Sequence, residues 1–490
     1  MPIRPFAAIS ALAMLVASGG CDRRPDDVAV TVSVIGGTAK LADPTRGPLD
    51  PAERLTADAI AQGLVRFDAN GGIEPGLAER WIVIDGGRSY IFRLEDASWP
   101  DGTRIRARDV VDSLRRTVAA QSRVTLSPFL AVIDEIVEMT PQVVEVRLKQ
   151  PRPDLLKLFA QPEMAILRRP VLAGTGPLRV ARSMAGELLL RPPVNADPDD
   201  DEPAEVQGEA DTVRLRGERA ALAVARFAAR RSDLLLGGTF RDWPLLAHAD
   251  VAPANVRVDP AAGLFGLAIV SREGFLSARE NRAALAMAID RATLTALFRP
   301  DWQPVETMLP ARLDSSRDPT PPAWQSLDLD ARRIAARNRV AIYHAANPDT
   351  PLTIRVALTR SPGVVLLWSR IASDLRDIGL LPVWVDEDAD ADLRIVDAVA
   401  PYDSGRWYLV TACGLCAEPV MAAITAARDA PSLPERASRI AAAELAMAQD
   451  TPYIPIAQPL RWSLVALRLE AWQGNSRAWH PLTHLRRPGR

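Results

Sequence analysis

Beyond its first twenty residues the sequence has no apolar run of about eighteen residues, so no later segment reads as a helix that crosses a bilayer. Charge of one sign is also missing: Lys+Arg number 59 and Asp+Glu 61, which leaves no basic excess for a nucleic-acid partner. Only Lys40, Lys149 and Lys157 are lysines, and arginine carries the rest of the positive charge. Histidine is limited to His248, His344, His480 and His484, and no His-Glu-x-x-His motif occurs. His480 and His484 have i,i+4 spacing, but Pro481 between them argues against a helical metal pair. A Gly-x-Ser-x-Gly elbow, a phosphate loop and a dinucleotide fingerprint are all absent; Gly174-Thr175-Gly176 is followed by Pro177 and fits none of them. The sequence therefore assigns no catalytic residue, no metal ligand and no cofactor.

What is present begins with a leader. Arg4 precedes the apolar stretch Phe6–Ala17, which at 1.5 Å per residue is too short for a core of about 30 Å and reads as a signal-peptide core. Ser18-Gly19-Gly20 leads into Cys21 and resembles a bacterial lipobox, in which Cys21 is lipidated and becomes the first mature residue. Secretion with cleavage nearby is the alternative. The other two cysteines form Cys413-Gly-Leu-Cys416. In an exported chain they fit a disulfide or two inert thiols; a redox or metal role would need a thioredoxin-like setting that the flanking sequence does not supply.

With 490 residues, 48% of them apolar, the chain is long enough for two or three lobes. Strands are expected at Val28–Ile35, Val213–Leu215, Asp233–Leu236, Phe265–Val270, Leu352–Leu358, Leu381–Val385 and Asp392–Val396, from β-branched or continuous apolar patterns. Helical spacing marks Ala52–Leu64, Arg108–Val118, Ala220–Ala229, Asn281–Phe298, Val364–Ile378 and Pro434–Asp450. Asp85-Gly86-Gly87 joins Trp81–Ile84 and Ser89–Leu94 as a hairpin. The alternation predicts an α/β protein. The acidic run Asn195–Glu202 lacks the glycine and terminal glutamate of a calcium loop and reads as a solvated loop.

Four blocks then fall in order. They are AQGLVRFDANGGIEPGLAERW with WPDGTRIRARDVVDSL between Ala61 and Leu114, Thr175-Gly176-Pro177, RAALAMAIDR at Arg282–Arg291, and DTPYIPI from Asp450. Together they resemble the peptide- and nickel-type (oligopeptide/dipeptide-binding) extracellular solute-binding proteins of ABC importers. Individually the motif residues have scaffold roles: a turn at Asp101-Gly102, a helix cap at Asp109, core positions at Leu285 and Ile289, and a local ion pair at Asp290-Arg291.

The resemblance implies a clamp like the periplasmic binding proteins: two α/β lobes, an additional lobe, and a ligand cleft at the hinge. It implies a leader over 1–20, a first lobe over 21–50, 166–260 and 453–490, an extra lobe over 51–165, and a second lobe over 261–452. It further implies a monomer in the periplasm of a Gram-negative bacterium, anchored through Cys21, which binds a peptide or other small solute and passes it to ABC permease subunits. A non-transport sensor or chaperone-like clamp, or a thiol-active protein using Cys413 and Cys416, are the competing readings. Departures are visible: aromatics are only 5%, and Asn195-Ala-Asp-Pro-Asp lacks an aromatic pair of the family. In peptide binders of the family an acid receives the ligand's ammonium; the matching segment here supplies Asp397 and Asp403, with Tyr402 and Trp407 beside them. The bland alternatives are solvated acids and a core tryptophan.

Overall fold

A computed structural model describes residues 28–184, 186–193, 211–311 and 313–486. Cys21 and the acidic run Asn195–Glu202 lie outside the described residues. Three sheets organise the chain. The first has seven strands in the order Val256–Val258, Arg461–Val465, Leu234–Thr239, Val30–Ile35, Val213–Glu218, Glu187–Arg191 and Arg179–Met184. Its centre is parallel, Val30–Ile35 lying between Val213–Glu218 and Leu234–Thr239, and its flanks are antiparallel. The second has five strands in the order Leu381–Val385, Thr353–Ala357, Leu393–Val399, Gly263–Ile269 and Tyr453–Ala457. The third is an antiparallel meander of Ala78–Ile84, Ser89–Leu94, Val143–Leu148 and Ile133–Thr140.

The strand patterns explain the layering. Gly263–Ile269 is buried at every position, as a central strand with both faces covered must be. Its glycine at 263 has a steric reason: a Cβ there would lie 2.1 Å from the carbonyl oxygen of Ala398 on the paired strand. The helix Pro51–Ile60 begins with a reciprocal cap in which Glu53 accepts from the Asp50 N–H at 3.0 Å. It packs its apolar face against the first sheet, with Leu55, Ala59 and Ile60 joining Val32, Val34 and Leu215 in one core. It therefore belongs with the first lobe, although the sequence places 51–165 in the extra lobe.

The helix expected over Asn281–Phe298 is two helices, Arg279–Ala288 and Arg291–Ala296. Asp290 breaks it: its carboxylate accepts from the Thr293 N–H at 3.0 Å and starts the second segment as an N-cap. Asp290 is thus not paired with Arg291, whose guanidinium reaches the carbonyls of Pro455, Ala286 and Ile289. Asp109 sits one turn inside its helix and accepts from the Arg106 N–H at 2.9 Å, the far half of a capping box.

The chain crosses between the first two sheets through two short links. One runs from Val256–Val258 to Gly263–Ile269, the other from Tyr453–Ala457 to Arg461–Val465. Tyr453–Ala457 is hydrogen-bonded into the five-stranded sheet, so this crossing falls after 457 and not at 453. The links are tied together: Asp259 N–H donates to the Arg461 carbonyl at 3.0 Å, and Gly263 N–H to Gln458 Oε1 at 3.0 Å. The meander shares its core with the helices Gly405–Ala412, Glu418–Asp429 and Leu433–Asp450, so the extra lobe is welded to the second. Phe129 and Tyr402 form an edge-to-face pair across that weld, 5.7 Å between centroids.

Candidate functional site: the cleft at the crossing links

A cavity of about 590 Å³ opens where the two crossing links meet. Its wall draws on all three parts: Val34, Gly237–Thr239, Arg241 and Trp462 from the first lobe, Asp397–Pro401, Trp407 and Thr411 from the second, and Phe67, Leu126, Phe129 and Glu163 from the remainder. A volume of several hundred Å³ with mainly apolar walls suits a small organic solute.

The first-lobe wall is shaped by a strand that loses register as it reaches the cavity. Leu234–Thr239 bulges against Arg461–Val465 between Leu235 and Gly238. Gly237 there has φ +85°, a left-handed bend that glycine adopts without strain. Gly238 backs onto the Trp462 indole, where a Cβ would lie 2.3 Å from ring carbons. Trp462 is 1% exposed and its indole N–H donates to the Thr239 carbonyl at 2.9 Å, which fixes this wall.

Charged groups in the wall are mostly paired with one another. Asp397 accepts from Arg461 Nη1 at 2.7 Å, and Arg461 Nη2 also donates to the Asp397 carbonyl at 3.1 Å. Arg54 Nε lies 2.8 Å from Glu163 and its guanidinium 5.0 Å from the Trp479 ring centre. His480 Nε2 is 3.2 Å from Asp259, whose other oxygen accepts from the Asn475 N–H at 3.0 Å. Arg477 reaches Asp403 and the Ala400 carbonyl. Arg241 differs: its side chain sits beside the Phe240 ring at 5.6 Å, and its Nε is buried with no hydrogen-bond partner.

The four residues that the sequence singles out separate here. Asp397 and Trp407 line the cleft. Asp397 arrives with Arg461 already on it, and Trp407 is 5% exposed with its ring edge-on to Tyr408. Tyr402 faces instead a smaller cavity of about 240 Å³, beside Phe129, Arg152 and Arg406. Burial raises its hydroxyl pKa. Asp403 lies outside the cleft wall and is held between Lys157 and Arg477. Burial alone would raise its carboxyl pKa, but the Lys157 hydrogen bond and the Arg477 charge hold it below the usual range. Cys413 and Cys416, sulfur to sulfur at 2.08 Å, are likewise not part of the cleft wall. Among the described residues no three His, Cys, Asp or Glu gather as a metal would require.

Sequence reading did not single out Arg241, Arg461, Trp462 or Trp479. For Arg241 a local signal exists: it follows a strand, Leu234–Thr239, whose last residues include Gly237-Gly238, and strand ends in open α/β sheets are where ligands are met. The partners of the others lie too far away in the chain to be read.

This geometry can be set beside known proteins. The description of bacterial extracellular solute-binding proteins, family 5 middle region, matches residues 72–380. The chain belongs to that family. Two curated relatives of this family-5 protein match over part of their length. The chain is 32% identical over 157 residues to the probable deoxycholate-binding periplasmic protein YgiS of Escherichia coli, covering 26% of this chain and 29% of that one. It is 31% identical over 148 residues to the periplasmic oligopeptide-binding protein OppA of the same species, covering 26% of each. The matched segments thus span less than a third of these relatives. The fold extends further: Haemophilus influenzae OppA in complex with RPPGFSPFR superposes with a TM-score of 0.76 at 16% identity, over 92% of this chain and 97% of the other. The architecture is therefore that of the periplasmic binding proteins, two α/β lobes with an additional lobe.

Proposed function

We propose that this protein is a periplasmic solute receptor of an ABC importer, without catalytic activity. In this reading it works as a monomer, is held at the membrane by a lipid on Cys21, and closes over a peptide or similar small solute before handing it to the permease. The observation that carries the reading is the 590 Å³ cleft whose wall is divided between lobes joined by two short links. A ligand there touches both lobes only when they are closed, so its binding energy selects the closed form. Membership in family 5 supports the class of activity, and partial likeness to a deoxycholate-binding and an oligopeptide-binding periplasmic protein supports a peptide or similar small solute as the cargo.

Screening peptides and small organic acids by thermal melting, followed by small-angle scattering with any ligand found, tests the clamp. A melting temperature that climbs with ligand concentration and a smaller radius of gyration when loaded are expected. A ligand that binds with no change in radius sinks the closure mechanism, and a screen without any shift sinks the receptor reading. The anchor has its own test. Cys21→Ala is expected to move the protein from the membrane fraction to the soluble periplasm, and a wild-type protein already soluble contradicts lipidation.

A further inference from the structure

The cleft wall is unbalanced in its hydrogen-bonding groups. Four buried N–H donors on lining residues lack a hydrogen-bond acceptor, Arg54 Nε, Arg241 Nε, Arg477 Nε and Trp479 Nε1, and of these only Arg54 Nε has a carboxylate beside it, Glu163 at 2.8 Å. Among the described residues of the wall, the one buried side-chain oxygen without a donor is Oε2 of Glu163, and that carboxylate already neutralises Arg54. Three main-chain carbonyls of the second-lobe wall are taken as well. Asp397 O accepts from Arg461, Ala400 O from Arg477 at 2.6 Å, and Pro401 O from Gln161 at 2.7 Å.

Among the described residues, Arg241 is the one cation of the wall with no carboxylate within ion-pairing distance. Its sequence neighbour Asp242 feels the charge, but its own hydrogen bond is with Thr239 at 3.5 Å. Each lining acid (Glu163, Asp259 and Asp397) has a partner of its own. A desolvated ammonium would therefore have to displace an existing pair, while a carboxylate would satisfy a donor that now has nothing.

We propose that the cleft takes a solute with a carboxylate head, an apolar body and no free ammonium, and that Arg241 anchors the head. This rests on the receptor reading above and narrows its substrate class. Apolar surface from Leu126, Phe129, Trp407 and Trp462 receives the body. The carboxylate completes a charge-assisted bond with a guanidinium, the stronger kind of hydrogen bond.

Calorimetric titration with trileucine, N-acetyl-trileucine and N-acetyl-trileucine amide tests this, since the three share one body and differ only at the ends. The acetylated acid is expected to bind about 10-fold or more tightly than either of the others, the scale of one hydrogen bond to a charged group. Arg241→Gln is expected to remove that advantage and leave the amide's affinity unchanged, whereas Arg241→Lys retains part of it. An unchanged melting temperature of the unliganded Arg241→Gln protein confirms that its fold is intact; the Arg241→Lys comparison decides if it is not. Trileucine binding as tightly as its acetylated form, or Arg241→Gln leaving the acid's affinity intact, overturns the inference. Absence of binding by all three also overturns it. The receptor reading falls only if the broader melting screen fails too.

Discussion

Two clusters of arginine, one buried and one half-buried, occupy this molecule, and they are used in opposite ways. At the joint behind the second lobe, Arg282 is 1% exposed and spends its donors on the chain itself: Asp450 O and Oδ1, Leu276 O and Ser277 O. Arg291 does the same with Pro455, Ala286 and Ile289. In the cleft, Arg461, Arg54 and Arg477 are each tied to an acid, yet Arg241 is left with an aromatic ring and empty donors. A guanidinium whose donors all end on its own chain is a staple. One that faces a cavity with donors unmet is a handle for something else.

The contrast is sharpest where the staple is cut. Arg282→Met keeps length and apolar bulk but frees three carbonyls, one of them buried, and removes a partner of Asp450. Loss of about 3–5 kcal/mol is expected, read as a fall in the urea midpoint. Arg241→Met at the handle is expected to leave that midpoint within about 0.5 kcal/mol of wild type, as for a surface change that breaks no internal bond. Equal losses at the two positions erase the distinction.

Asp58 is the acidic counterpart of a handle, a buried charge without an ion pair among the described residues. Burial raises its carboxyl pKa from 3.8 to about 6, with the Arg66 and Arg54 charges pulling the other way. The folded-state pKa is the higher one, so the folded protein holds this proton more tightly than the unfolded chain. Stability is then unaffected below about pH 4, falls as pH rises from there to about 6, and stays reduced by about 3 kcal/mol above that. Asp58→Asn is expected to stabilise the protein by up to that amount at pH 7 and not at all at pH 4. Denaturant titrations at the two pH values check it, and an equal gain at both contradicts the buried-charge account.

A smaller effect is expected in the wall itself. Gly238→Ala puts a methyl group against the Trp462 indole, so the ring or the strand must move. Overpacking of this kind costs about 1–3 kcal/mol. Because Trp462 lines the cleft, intrinsic tryptophan fluorescence is expected to shift with it, which an equally destabilising change at the joint would not cause.

How far such features can be read from sequence depends on how local they are. Asp101-Gly102-Thr103 is legible because its reason is local: Asp101 accepts from the Thr103 N–H at 3.0 Å, and Gly102 takes φ +83°. The hairpin through Asp85-Gly86-Gly87 is of the same kind, and so is most of the α/β alternation. The break at Asp290 was in principle readable, since aspartate favours a helix start, but the apolar spacing of Leu285, Ile289 and Leu294 runs straight through it. The cleft is the opposite case. Asp397 is visible as an acid, but Arg461 on its carboxylate comes from 64 positions away and Asp403 meets Lys157 across 246. Of the residues in the family blocks only Phe67 lines the cleft, so the resemblance specifies the frame and says little about the cargo.

The pair at Asp397 permits a final discrimination, because the two roles open to this acid predict opposite signs. If Asp397 served a ligand's ammonium, Asp397→Asn would weaken solutes with a free amine and leave acids alone. The geometry argues for another result. Asp397 is 4% exposed and Arg461 15%, so the carboxylate is the charge that keeps Arg461 neutralised in the wall. In Asp397→Asn the guanidinium keeps its carbonyl contacts with Leu460 and residue 397 but loses its negative partner. Arg461 then resembles Arg241, a cation facing the cavity without a countercharge. Stability is expected to fall by about 1–2 kcal/mol, less than for a pair broken by truncation, because asparagine retains one acceptor oxygen. Affinity for N-acetyl-trileucine is expected to rise by about 2- to 5-fold, and the gain is expected to shrink as salt is added, since it comes from an added charge and not from a new contact. Titrations at low and high ionic strength read both effects. A weakened free-amine ligand with no gain for the acid returns Asp397 to the ammonium role and removes the difference between the paired and the empty guanidinium on which this comparison stands.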